Sequence, residues 1–204
     1  TAMAHAFAEK VALEAQGESV DNLIYLYVRD GVSAGLLCDG RLFNGASGIS
    51  GEIGHITVGD DDTSCDCGNR GCLEQYVNID AIVKQVRLVM PGGEADSPVT
   101  LESIREALDS GNDAVARTMD EIAEKLIRGL YDTVCLTGIR RITIGGGIEL
   151  LGDGFLNILR ARAEVSGGLL LRGVSIDYAR SGPSSDTLGI ARYFMDKVLV
   201  LPQG

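Results

Sequence analysis

The sequence has no tryptophan, and aromatic residues make up only 5% of its 204 positions. With so few rings and 27 glycines, the composition suits an α/β domain rich in tight turns. The apolar share of 45% is enough for a sizeable core, in one large domain or two small ones. There is no long apolar run, which excludes a transmembrane helix. The opening Thr-Ala-Met-Ala-His-Ala-Phe-Ala has no basic region, which excludes a signal peptide. It also lacks an initiator Met and starts inside a helical pattern, so the chain reads as part of a longer protein. Basic residues are scarce as well: 18 Lys and Arg stand against 29 Asp and Glu, a net charge of -11. That balance argues against this segment gripping a nucleic-acid backbone, and leaves any DNA contact to a domain outside the chain. The five cysteines form no disulfide framework, so a reduced, cytoplasmic setting is expected. Cys38 and Cys135 lie in apolar surroundings and are expected to be buried thiols. Neither an internal repeat nor a low-complexity tract is present.

Periodicity supplies the elements. Ala2 to Gln16 reads as an amphipathic helix with Phe7, Val11 and Ala15 on one face, ended by Gly17. Leu23 to Val28 reads as a buried strand, and a turn at Asp30-Gly31 leads to a second, Ala34 to Cys38. Asp39-Gly40 is a hairpin turn, with Arg41 to Phe43 returning. A Gly- and Ser-rich loop follows, and Ile53 to Val58 is expected to be a strand. Asn78 caps a helix that uses Ile82, Val86 and Val89 and breaks at Pro91-Gly92-Gly93. Thr100 begins a short helix with Leu101, Ile104 and Leu108. Val115, Met119, Ile122, Leu126, Leu130 and Val134 form a long core stripe that Gly138 closes. Arg141 to Ile144 is a strand running into Gly145-Gly146-Gly147, followed by a helix from about Leu150 to Val165. Val174 to Tyr178 is a further strand, and a last helix carries Leu188, Ala191, Met195 and Val198. Strands alternating with helices argue a mixed α/β sheet with packed helices.

Residues 51–74 carry the chemistry. They hold Gly-Glu-Ile-Gly-His, a short acidic loop, and Cys-Asp-Cys-Gly-Asn-Arg-Gly-Cys-Leu-Glu. His55, Cys65, Cys67 and Cys72 complete a Cys3His set, the donor chemistry of a tetrahedral structural zinc. One residue between Cys65 and Cys67 lets both thiolates face one ion, and Gly68 and Gly71 let the chain fold back to deliver Cys72. Glu52 and Glu74 flank the set. An ion pinning both ends would hold these carboxylates near each other, and a rigid carboxylate pair suits a polyol such as a sugar. The plainer alternative is that both are solvated loop residues.

Gly51-Glu52-Ile53-Gly54-His55, followed by Cys65-x-Cys67-Gly68-x-x-Gly71-Cys72-x-Glu74, resembles the signature of the ROK family of repressors, open reading frames and sugar kinases. The resemblance implies a lobe of the actin-like ATPase (RNase H-like) fold, covering residues 1–204 with the zinc motif at 51–74. It implies sugar contacts at Glu52, His55 and Glu74, with His55 facing zinc through one ring nitrogen and the sugar through the other. It also implies a homodimer or homotetramer, with a further lobe and any DNA-binding domain outside the chain.

The sequence departs from the family's kinases on the phosphate side. They carry a Gly-Thr-Gly turn between the first two strands of this lobe. Here Val28-Arg29-Asp30-Gly31-Val32-Ser33-Ala34-Gly35 places Arg29 and Asp30 at the first Gly and the Thr, and Ser33 at a later Gly. A carboxylate at Asp30 would repel phosphate. The family's general base falls at Thr1 or upstream of it. The Gly145-Gly146-Gly147 turn is similar to the family's adenosine-side turn, although most such turns use glycine for backbone reasons alone. The expectation is therefore a non-enzymatic sensor of a sugar or sugar phosphate within a transcriptional regulator. The rivals are a hexose kinase with a degraded phosphate loop and a zinc-stabilised module without ligand.

Overall fold

A computed structural model of the chain describes residues 2–59, 62–90, 98–166 and 168–182, together with 187, 189 and 191. Five strands make one mixed sheet in the order β3-β2-β1-β4-β5. They are β1 (Leu23–Val28), β2 (Val32–Cys38), β3 (Arg41–Leu42), β4 (Arg141–Gly145) and β5 (Ser175–Tyr178). The hairpin strands β1, β2 and β3 pair antiparallel, whereas β4 lies parallel to β1 and β5 parallel to β4. The parallel pairs need crossovers, and these are the helices.

Strand geometry divides the side chains between two cores. Ile24, Leu26 and Val28 point to one face, with Ile142, Ile144 and Ile176 from the neighbouring strands. There they meet α3 (Ile79–Arg87), α4 (Leu101–Asp109), α5 (Asp113–Thr137) and α6 (Gly152–Ser166). Leu23 and Tyr25 point to the other face, against Ala6, Phe7 and Leu13 of α1 (Ala2–Ala15). Two short helices, α2 (Glu74–Val77) and α7 (Gly168–Leu171), are also present among the described residues.

Helix ends follow local chemistry. The Asn78 side chain accepts from Ala81 N–H at 2.7 Å, and Asn112 accepts from Ala114 and Val115 N–H. Thr100 and Ser103 form a reciprocal capping box. Gly138, in the left-handed region, ends α5. The expected stripe of α5 is buried in full, from Val115 to Val134. Each such aliphatic side chain contributes about 1.5–3 kcal/mol on burial.

Three expectations are corrected. Ile53 to Val58 is not a strand: Ile53–His55 is a 3-10 turn, and only Thr57 forms a bridge, to Cys72. The cause is a backbone approach to β2, where Ala34 N–H donates to Gly51 O at 2.6 Å. A Cβ on Gly51 would lie 1.8 Å from Ala34 O, so only glycine, at φ +77, can sit there. Cys135 is exposed, on the opposite side of α5 from the stripe, and Cys38 is half-buried. In α1, Ala15 is exposed, while the first half is buried nearly all round. The chain at Gly189 passes close against Ala4 and Ala8, which covers that half from outside. Finally, the short helix α7 had no periodic signal. The Pro91-Gly92-Gly93 break and most of the expected last helix lie outside the described residues. Among the described residues, no helix is long and apolar enough to cross a membrane.

Candidate metal centre and sugar-facing carboxylates

The segment after the 3-10 turn folds back on itself as a small ribbon. Val58 N–H donates to Gly71 O at 2.8 Å and Leu73 N–H to Ile56 O at 2.9 Å. A second bridge joins Ser64 to Arg70. These bonds bring both ends of the motif to one place. The ligand atoms of His55, Cys65, Cys67 and Cys72 all lie within 4.8 Å of one another.

Two of the spacings match those of a zinc tetrahedron. Zn–S and Zn–N bonds of about 2.3 and 2.0–2.1 Å in a tetrahedron set ligand atoms about 3.5–3.8 Å apart. Cys65 Sγ lies 3.5 Å from His55 Nδ1, and Cys67 Sγ lies 3.6 Å from Cys72 Sγ. The ring nitrogen facing the cluster is therefore Nδ1, which leaves Nε2 on the other edge of the ring. Cys72 is fully buried, Cys65 nearly so, and Cys67 is exposed. Burial, and then the neighbouring thiols Cys65 and Cys67, push the Cys72 thiol up to about 12. The Asn69 backbone N–H holds Cys67 below the usual thiol range. A cation reverses the cost of gathering thiolates here, because coordination favours their ionised form.

Glu74 joins the cluster directly. Its Oε1 accepts from the Cys65 thiol at 3.3 Å and lies 3.6 Å from His55 Nδ1. A Cβ at Gly31 would lie 3.6 Å from Glu74 Oε2, so Glu74 reaches the β1–β2 turn. Glu52 is placed differently. It is exposed, at the start of the 3-10 turn, where its carbonyl accepts from His55 N–H at 3.1 Å. Glu52 itself lines an apolar groove of about 440 Å³, with Leu36, Phe43, Ile49, Ile53, Ile56 and Leu136, and neither His55 nor Glu74 is in its wall. Of the expected sugar contacts, His55 and Glu74 are thus brought together, while Glu52 is tied to them through one backbone turn.

On the phosphate side, Arg29 and Asp30 are both exposed at the β1–β2 turn. The turn is fixed by its backbone: Arg29 N–H donates to Gly31 O, and Arg29 O accepts from Ile79 N–H at 2.9 Å. At the end of β4, Gly146 and Gly147 take φ of +105 and +129, conformations that favour glycine. The Gly147 N–H donates to Glu149 Oε2 at 2.8 Å. Sequence reading missed Glu149 and Gly31. Glu149 lies just past a glycine turn, a place where a polar residue carries no periodic signal.

The ROK family model matches residues 1–195. The chain belongs to the ROK family. A xylose repressor of Caldicellulosiruptor bescii is 33% identical over 149 residues, 69% of this ROK chain and 37% of the repressor. An N-acetylmannosamine kinase of Citrobacter koseri is 29% identical over 159 residues, 78% of this chain and 51% of the kinase. This ROK chain therefore spans about half or less of the length of these two relatives. Among solved structures, a ROK family glucokinase from Streptomyces griseus, in complex with glucose and AMPPNP, superposes with a TM-score of 0.79 at 26% identity. The match covers 94% of this chain and 65% of the glucokinase. A ROK family transcriptional regulator, a homolog of the E. coli MLC protein, gives a TM-score of 0.70 at 25% identity, covering 94% of this chain and 51% of the regulator. The mixed sheet with its helices is accordingly the actin-like ATPase fold of ROK sugar kinases. Repressors and kinases both stand among the relatives.

Proposed function

We propose that the chain is the effector-binding and oligomerisation part of a ROK-family transcriptional regulator, and that its effector is a sugar or sugar phosphate. One observation carries the reading. An intact His55–Cys65–Cys67–Cys72 cluster in contact with Glu74 is combined with a β1–β2 turn that presents Arg29 and Asp30 to solvent. The sugar side keeps its chemistry, and the phosphate side carries a carboxylate where a kinase needs donors. The identity to xylose repressors supports the same reading.

Zinc in the cluster would supply a fixed geometry and no reaction. His55 would hold it through Nδ1, with Cys65, Cys67 and Cys72 as the other ligands. The chain's own residues then act on the sugar. Glu74 and Glu52 accept hydrogen bonds from hydroxyls, and His55 Nε2 faces the ligand in the tautomer set by Nδ1. The second lobe and the DNA-binding domain belong to the intact protein in this reading, which assembles as a homodimer or homotetramer. DNA contact comes through that other domain alone.

A hexose kinase is the second reading, favoured by the likeness to N-acetylmannosamine kinases and to the glucokinase. Phosphate transfer from ATP to glucose, N-acetylglucosamine and N-acetylmannosamine separates the two. The regulator reading expects no enzyme-like rate from the intact protein. Turnover of about 1 per second or faster, within the ordinary enzyme range, would assign the chain to the kinases.

A further inference from the structure

We propose that Glu149 closes the glycine turn after β4 to nucleotide phosphates, so that this residue sets which class of ligand the sheet edge accepts. The inference rests on the regulator reading and gives it a residue that can be tested alone.

The position comes first. Strands β1 and β4 are parallel neighbours, with Tyr27 opposite Gly145, so the loops that follow them leave at the same edge of the sheet. Ligands of open α/β sheets bind in the crevice at the carboxyl ends of parallel strands. In the loop after β4, Gly146 and Gly147 hold their amides at positive φ, and a Cβ there would strike the chain itself, Val28 O at 2.6 Å from Gly146 and Ile79 Cδ1 at 3.0 Å from Gly147. Such amides are the donors a phosphate would use.

The donor is already taken. Gly147 N–H donates to Glu149 Oε2 at 2.8 Å. An amide has one hydrogen, and a charge-assisted bond to a carboxylate is stronger than one to a neutral acceptor. A phosphate arriving here would have to displace an anion that is covalently tethered two residues away. It would also meet that anion's charge at close range. The cation of the β1–β2 turn, Arg29, is exposed and stands next to an acidic residue. Asp30 stands in the loop after β1 at the same edge, and Asp153 opens α6. The Tyr178 hydroxyl is held neutral by burial and next by the charges of Glu149 and Asp153, and burial and Glu149 act likewise on Tyr25. Glu149 and Asp153 are thus the acidic groups felt on the β5 side of the turn.

A purely structural role predicts something different. If Glu149 only caps the turn, its loss lowers stability and leaves nucleotide affinity unchanged. Affinity for ADP and for adenosine, measured by calorimetry on the wild-type chain and on Glu149→Gln and Glu149→Ser, separates the two roles. Glu149→Gln keeps an acceptor for Gly147 and removes only the charge, which guards against a variant that fails to fold. The expected result is that ADP binds at least about ten-fold more tightly to both variants than to wild type, as relief of like-charge contact implies. Adenosine, which has no phosphate, should change less than about three-fold. Equal ADP affinity in all three proteins, including no detectable binding to any, overturns the proposal, as does a gain for adenosine as large as for ADP. These outcomes leave the regulator reading standing, because that reading fails on a different result, phosphate transfer to a hexose by the wild type.

Discussion

Cys72 has no exposed surface and two other thiols beside it, which is an unfavourable place for a sulfur that must ionise. Its neighbours and its burial both raise the cost of a thiolate. A divalent cation removes that cost, and structural zinc sites contribute on the order of 10 kcal/mol to local folding. The chain is therefore expected to carry about one zinc, as a closed Cys3His site does. Cys72→Ser should abolish it, and chelation of the wild type should raise amide exchange across residues 59–74. Elemental analysis with hydrogen exchange checks both. A protein that is metal-free, fully protected in this segment and indifferent to chelator contradicts the assignment. Protons compete for the same ligands, so metal affinity should fall as pH falls.

Helices α5 and α6 pack side by side, and Arg162 of α6 ties them together through Asp120 and, at 3.6 Å, Glu124 of α5. Arg162 donates to both oxygens of Asp120, with the Nε bond at 2.5 Å. The hydrogen bond from Arg162 holds the Asp120 carboxyl below its ordinary value of 3.8. A carboxyl lowered by folding stabilises the protein above its unfolded pKa. That contribution is lost as pH falls through the folded value. Both side chains are partly exposed, so the term is small, under about 1 kcal/mol. Asp120→Asn should lower the urea midpoint at pH 7, and the difference from wild type should vanish in acid below the folded pKa. An equal difference at both pH values would mean that packing, and not charge, is what the substitution removes. At this scale the sequence was readable where causes are local. Asn78 and Thr100 cap the helices they were expected to begin, because a side chain and an amide three residues away suffice. The stripe of α5 was readable because 3.6-residue periodicity records which face is buried. Ile53 to Val58 was misread because its shape is set by Gly51 and Gly54 lying on the backbone of β2, a contact with partners about twenty residues back in the chain. The burial of α1 was misread for the same kind of reason, since its cover comes from the other end of the chain at Gly189.

At the scale of the molecule, the motif spacing named four candidate ligands, and the fold brings their side chains together. The placement of Glu52 in the wall of a separate apolar groove was not legible, since it depends on how the 3-10 turn faces β2 and the end of α5. Glu149 was not legible either, because its role exists only once β4 lies parallel to β1 and the two loops share an edge. In the proposed regulator, a metal-braced loop would present carboxylates to a sugar, and the binding would bias an assembly that reads DNA. A coupling of about 1–3 kcal/mol between the sites is enough to change operator occupancy. Each buried hydrogen bond left unmade costs about 1–3 kcal/mol, so losing one carboxylate should weaken sugar binding about ten-fold or more. The most direct test is operator affinity of the intact protein titrated with a panel of sugars and sugar phosphates, wild type against Glu52→Ala and Glu74→Ala. The account predicts that one sugar shifts operator affinity in the wild type and that both variants need about ten-fold more of it. A sugar that shifts operator affinity at the same concentration in all three proteins would contradict it.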